Sequence, residues 1–218
     1  MPLSRRHFNL TLVGGLGALT VSPPTLANAL VEGHDWRPID PPQPGDDPDK
    51  IEVLEFFSYG CPHCRHLNPL IKAWGERQPE DVAFRRVPVT FGRTAWANLA
   101  RLYYALEASE ALPRLDQKVF EALHDERHRL YTPEAILDWV EAQGVERDRF
   151  AAFFDGFDIQ AKIARSDRLV QRYRIRAVPR ITVAGRYAVL GQGASSYRDL
   201  LEITDTLIAQ ARAPGRDG

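Results

Sequence analysis

At 218 residues the chain is long enough for one well-cored domain with an insertion and too short for two domains of ordinary size. A hydrophobic share of 44 % beside 26 % charged residues excludes a disordered or fibrous chain. The 28 lysines and arginines nearly balance 29 acids, so there is no global field to recruit nucleic acid, which is set aside as a partner.

Residues 1–29 differ in character from the rest. "SRRHFNL" (Ser4 to Leu10) is basic and free of acids, "LTLVGGLGALTV" (Leu10 to Val21) is apolar, and "LANA" ends in small residues. This pattern reads as an export signal cleaved after Ala29. The apolar stretch is about a dozen residues, short of the ~20 that span a bilayer. Arg5-Arg6 followed by Phe8 resembles a twin-arginine signal, and a general secretory signal fits equally well. Cleavage removes two arginines and no acids, leaving 26 − 29 = −3. Export to the periplasm would place the cysteines where a pair can rest as a disulfide.

Residues 30–50 form a leader in which "RPIDPPQPGDDPDK" (Arg37 to Lys50) is rich in Pro and Asp without an apolar period, so an extended segment lying on or off the domain is expected. The core begins at Ile51. "IEVLEFF" (Ile51 to Phe57) predicts a buried strand; Leu67, Leu70, Ile71 and Trp74 mark one face of a helix after Pro62; "VAFRRVPV" (Val82 to Val89) predicts a second strand. Together these make a βαβ unit. A helical tract follows from Thr94 to about Arg174, with apolar stripes at Leu99, Leu102, Tyr103 and Leu106 and at Leu115, Val119, Phe120 and Leu123. Within it, "TPEAILDWVEAQG" carries an N-cap at Thr132, a first-turn proline at Pro133 and a stop at Gly144. Further helices fit Arg147 to Phe154 and Ile159 to Tyr173. "RITV" (Arg180 to Val183), a turn at Ala184-Gly185 and "YAVL" (Tyr187 to Leu190) make a hairpin, and a last amphipathic helix runs from about Ser196 to Ala211. With residues 92–156 lifted out as a helical insertion, residues 51–91 and 157–212 give an α/β order of the thioredoxin-like βαβ…ββα kind.

The only two cysteines, Cys61 and Cys64, flank Pro62 and His63. A structural zinc site calls for about four ligands, and His63 or His66 with the two sulfurs do not complete a set, so no metal is assigned. Covalent haem needs a histidine directly after the second cysteine, where Arg65 stands. A stabilising disulfide gains by closing a long loop, which two intervening residues do not provide. A catalytic dithiol needs one thiolate at neutral pH, and the start of the predicted helix offers it: free N–H groups and the helix dipole favour negative charge at Cys61. Pro62 at the first helical position sacrifices no hydrogen bond.

"VLEFFSYGCPHC" (Val53 to Cys64) and "RAVPRITVAGRY" (Arg176 to Tyr187) resemble the two signature segments of DsbA-type thiol:disulfide oxidoreductases. The resemblance extends to the order of elements and the helical insertion, across most of residues 50 to 211. It implies that Cys61 is the nucleophile, Pro62 and His63 the redox-tuning pair and Cys64 the resolving thiol. It also implies that Val178 and Pro179 form a cis-proline loop pairing with substrate backbone, and that Glu55 is a buried acid handling the proton of Cys64. On pattern alone Glu55 fits a strand-edge residue facing water equally well. Tyr59-Gly60 departs from the bulkier apolar pair of well-known members, and Arg86 and Pro88 also differ. The expected activity is a disulfide oxidase without cofactor, acting as a monomer on reduced exported proteins and reoxidised by a DsbB-like membrane quinone reductase. A disulfide isomerase or reductase, or a metal carrier using Cys61 and Cys64, are the alternatives.

Three other patterns are read as structural. "HDERH" (His124 to His128) is taken as a charged, solvated helix face, since it lacks the glutamate of a zinc-protease helix. Trp74, Trp96 and Trp139 fall on apolar stripes. "RSDRLVQRYRIR" (Arg165 to Arg176) is a solvated helix end able to steer acidic partners.

Overall fold

The structure, a computed structural model, describes residues 30–213. The export signal expected over residues 1–29 lies outside them. In chain order the strands are β1 (Trp36–Pro38), β2 (Ile51–Phe57), β3 (Val82–Pro88), β4 (Arg180–Val183) and β5 (Tyr187–Val189). The helices are α1 (Pro62–Gly75), α2 (Thr94–Ala108), α3 (Leu112–His124), α4 (Pro133–Ala142), α5 (Arg147–Phe154), α6 (Phe157–Arg172) and α7 (Tyr197–Arg212). The strands form one sheet in the order β1-β5-β4-β2-β3. Every residue of β2 from Glu52 to Phe57 is buried, as a central strand covered on both faces requires. β3 lies parallel to β2, from Ile51 opposite Val82 to Phe57 opposite Pro88, and β4 lies antiparallel on its other side.

Burial of the predicted stripes explains the layers. Val53 packs with Leu67, Ile71 and Trp74 of α1 and with Leu207 and Ile208 of α7, while Leu54 and Phe56 meet Tyr173, Ile175 and Ile39 on the opposite face. At its far end β2 delivers Phe57, the loop beyond delivers Tyr59 and Cys61, and the first turn of α1 delivers Cys64, into a core shared with Leu102, Phe120, Val140 and Phe150 of the helical block. The cysteines therefore sit where the sheet meets the helices. None of the described helices is long and apolar enough to cross a membrane.

The leader lies on the domain, one of the two placements its composition allowed, and the core begins before Ile51. Trp36–Pro38 adds an edge strand, Trp36 lying opposite Val189, and Ile39 is 4 % exposed. Three residues are too few to show an alternation, and Pro38 is tolerated because it lies on an edge strand. The leader then crosses the β4–β5 turn, where Gln43 N–H donates to the Gly185 carbonyl at 2.9 Å. Ala184 and Gly185 have φ of 52° and 62°, a type I′ turn closed by Arg186 N–H on the Val183 carbonyl at 3.0 Å.

A Cβ on Gly185 would lie inside van der Waals contact of the Gln43 carbonyl, whereas one on Gly92, also at positive φ, would meet nothing within 4 Å. Gly92→Ala is expected to lose about 1 kcal/mol, from backbone conformation alone, and Gly185→Ala about 2 kcal/mol or more. Equal losses in urea denaturation would show that the leader does not rest on the turn.

Candidate active site

Cys61 is the N-cap of α1, with extended backbone and no capping hydrogen bond from its thiol. Helices ordinarily place Ser, Thr or Asp there to accept from the N–H groups of the second and third residues. Here those residues are His63 and Cys64, and their N–H groups favour a negative sulfur instead. The Cys64 thiol, donating to the Cys61 sulfur, lowers the Cys61 pKa most. The two backbone N–H groups and charge on His63 add to this and outweigh burial, bringing it from 9.0 to about 6. Cys64 moves oppositely: burial, then its bond to Cys61, then the charges of Cys61 and Glu55 push its thiol far above the usual range. One turn of helix thus holds an acidic thiol, 6 % exposed, beside a fully buried one that resists ionisation.

Across from the cysteines, the Val178–Pro179 peptide is cis, and the Cys61 thiol reaches the Val178 carbonyl at 3.4 Å. His63 Nδ1 lies 3.3 Å from the hydroxyl of Tyr197, the first residue of α7. His63, Leu70, Pro179, Ile181, Tyr197 and Leu200 line one open groove beside the thiol. The structure so gathers Cys61, Pro62, His63, Cys64, Val178 and Pro179 at one end of the adjacent strands β2 and β4.

Glu55 lies beneath them. The water-facing alternative is excluded: its exposure is 0 %, because β2 is the central strand. Arg86, opposite it on β3, donates Nε to Glu55 Oε2 at 2.6 Å, and its Nη1 lies 3.0 Å from Asp116 of α3. Asp116 also accepts from the Tyr59 hydroxyl at 2.8 Å and lies 3.4 Å from Lys72 Nζ. The Arg86 guanidinium stacks 4.0 Å from the Phe57 ring centroid. One cation therefore serves two buried carboxylates. Asp116 wins: burial works to raise it, but Arg86, the Tyr59 hydroxyl and Lys72 hold its pKa below the usual range. Glu55 loses, its pKa raised by burial and by the charge of Asp116 despite Arg86, and its Oε1 has no partner.

Two departures noted in the sequence have structural partners. Tyr59 is buried, its ring edge-on to Phe57 and Phe120 and its hydroxyl on Asp116, so it belongs to the support and not to the outer surface. Gly60 is required by Trp96, whose indole nitrogen would lie 2.9 Å from any Cβ there. "HDERH" is solvated over Asp125 to His128, as read, but α3 ends at His124, so they lie beyond the helix, and His124 is only partly exposed, its Nε2 meeting the Tyr59 carbonyl at 2.8 Å. Among the described residues no group of three His, Cys, Asp or Glu side chains gathers as a metal site.

A family model for the DSBA-like thioredoxin domain matches residues 52–203. The chain belongs to this family. It is 38 % identical over 204 residues, 93 % of its own length and 96 % of the relative's, to the thiol:disulfide interchange protein DsbA of Bordetella pertussis. The crystal structure of Pseudomonas aeruginosa DsbA superposes with a TM-score of 0.81 at 33 % identity, over 86 % of this chain and 97 % of that one. DsbA from Xylella fastidiosa gives 0.77 at 34 %, over 85 % and 99 %. Membership of this DsbA-like family makes the chain a thiol:disulfide oxidoreductase with a thioredoxin-like fold.

Sequence reasoning missed Arg86, Asp116, Lys72 and Tyr197. Arg86 had a signal: two seven-residue strands paired in parallel from their first residues set the fifth on the fifth, Glu55 on Arg86. Asp116 had none, since nothing local ties an acid on an amphipathic helix to a strand 30 residues earlier.

Thiolate absorbance of the reduced protein should rise with a midpoint near pH 6, and His63→Ala should shift it upward. A midpoint above pH 8 would contradict this account of the helix terminus. Arg86→Met leaves two buried carboxylates without their cation, so stability should drop by roughly 3–5 kcal/mol at pH 8. Their folded-state pKa values would then lie above the unfolded ones, so the folded state holds the extra protons and the loss shrinks toward pH 5. Denaturation at the two pH values checks the sign.

Proposed function

We propose that the chain is an exported disulfide oxidase that transfers the Cys61–Cys64 disulfide to newly exported proteins in the periplasm. The observation that carries the direction is the split between the two thiols: stabilising a Cys61 thiolate stabilises the reduced form, and so makes the disulfide oxidising. Three pKa units correspond to roughly 4 kcal/mol between protonation states, enough to move a two-electron potential by tens of millivolts. For the folded reduced protein the sign is the usual one for a depressed pKa. The contribution is complete above the unfolded value and is lost as pH falls through about 6.

In this reading a substrate thiolate attacks the Cys61 sulfur, a mixed disulfide forms, and Cys64 leaves. Cys64 is a poor thiolate in its buried place and takes a proton, for which Glu55, its pKa raised by burial and by the charge of Asp116, is the donor. A second substrate thiolate then attacks the substrate's own sulfur in the mixed disulfide and expels Cys61 as the stabilised anion. Two electrons have passed to the cysteine pair, and the substrate holds the new disulfide. His63 and Pro62 tune the potential, and Val178 and Pro179 bind the substrate backbone. Reoxidation returns the two electrons to a DsbB-like membrane quinone reductase, a partner carried over from the family alone. Residues 1–29 act as the export signal, and residues 92–156 are a helical insertion into the thioredoxin-like unit.

With a substrate protein that carries a disulfide, the Cys61 thiolate of Cys64→Ser should attack it and accumulate the mixed disulfide, the substrate's other sulfur leaving as a thiolate, and Cys61→Ser should form none, read on non-reducing gels. Equal trapping by both variants would overturn the assigned roles. Equilibration with glutathione should give a potential well above that of thioredoxin; one near it would favour a reductase.

A further inference from the structure

We propose that a hollow lined by Arg37, Arg174, Arg176 and Arg180, next to the cis-proline loop, docks an acidic residue of the polypeptide whose cysteine reacts with Cys61. The inference rests on the exchange reading above and adds a preference among its substrates.

The hollow is walled by these four arginines with Ile175 and Ala177, and no carboxylate lines it. Some cations elsewhere are paired, Arg65 with Asp125, Arg85 with Glu52, Arg147 with Asp138, Lys162 with Glu107 and Arg212 with Asp81; what sets the hollow apart is four arginines sharing one concavity. Among the described residues none of the four arginines forms such a pair. Their crowding is unfavourable in the free protein. Arg180 is half-buried with its guanidinium on the Val189 carbonyl, and burial together with the nearby charge of Arg37 lowers its pKa. An incoming carboxylate relieves that repulsion, and the planar forks of arginine suit it.

Position ties the hollow to the chemistry. Val178, whose carbonyl lies 3.4 Å from the Cys61 sulfur, is flanked two residues away by Arg176 and Arg180. At ~3.3 Å per residue of extended chain, this is the reach of side chains two or three residues from a reacting cysteine. Arg180 also lines the groove shared by His63 and Tyr197, so hollow and groove adjoin at its side chain. A short acidic segment fits better than an extended polyanion or a lipid surface. The cationic area is concave and confined, on a chain whose charge after Ala29 is 26 − 29 = −3.

The test uses the oxidised chain lacking residues 1–29 and two reduced dithiol peptides. One carries Asp two and three residues from each cysteine, and the other carries Asn at those places. Each stopped-flow rate is divided by the rate of the same peptide with a small disulfide, which removes the effect of Asp on the peptide thiols. The acidic peptide should react on the order of tenfold faster at low ionic strength, with most of the advantage lost at about 0.5 M salt. Arg174 and Arg176 are exposed, so Arg174→Ser/Arg176→Ser should fold and bring the ratio close to one. Equal rates in the unaltered protein, or a ratio that survives the double substitution, would overturn the proposal. So would phosphatidylglycerol vesicles that bind only when both arginines are present, since the occupant would then be a lipid surface. Failure to oxidise either peptide would instead remove the exchange reading, and this inference with it.

Discussion

A helix whose first residue offers sulfur where an oxygen normally stands leaves its leading N–H groups incompletely satisfied, and that deficit organises the site. At the start of α1 the N–H groups of His63 and Cys64 have no capping oxygen, and Pro62, having no N–H, adds none to the deficit. A thiolate at Cys61 is the group that completes the helix end. The helix in turn is fixed by its apolar face, Leu67, Ile71 and Trp74 against the sheet, so the terminus cannot turn away to water without unpacking the core. Packing energy far from the cysteines is thereby converted into an electrostatic preference at one sulfur.

The same constraint makes the layer below necessary. A stabilised anion at Cys61 needs a resolving thiol that does not ionise in competition, and burial of Cys64 provides this. Burial alone would leave the proton of Cys64 without an exchange partner, and in the proposed mechanism Glu55, poorly neutralised, is that partner. Had Arg86 faced Glu55 alone, the pair would have been a simple buried ion pair with the carboxyl held ionised. Asp116 alters that by taking the other side of the guanidinium, with Tyr59 and Lys72 reinforcing its claim. The helical block therefore contributes a charge that adds to burial in raising the pKa of an acid on the central strand.

How far this was legible follows from where each signal lies. The strands at Ile51 and Val82, the capped helix at Thr132 and the Ala184-Gly185 turn were readable because period, cap and turn chemistry are local. The cysteine pair and its helix start were readable for the same reason. The edge strand at Trp36 was not, since three residues between turn-forming neighbours carry no period and gain their partners only when the hairpin exists. Glu55 was ambiguous because one charged residue in an apolar run looks alike at an edge and at a centre; strand order decides it. His124 was misplaced because an acidic and basic run suggests water, while its ring is held by a carbonyl in the cysteine loop.

Long-range pairing also explains why the departures from well-known relatives do not alter the reaction. Tyr59 and Gly60 set what fills the space under the loop, and Asp116 and Trp96 complement them in this chain: a hydroxyl meets a carboxylate, and a missing side chain admits an indole. The groups that set the chemistry are few and lie within one turn of α1, one position of β2 and one loop. The groups that hold them are spread over β3, α2, α3 and α7. Exchange chemistry depends on the first set through the charge each atom carries, and on the second only through where those atoms are kept, so the second can vary as long as volume and hydrogen bonds balance.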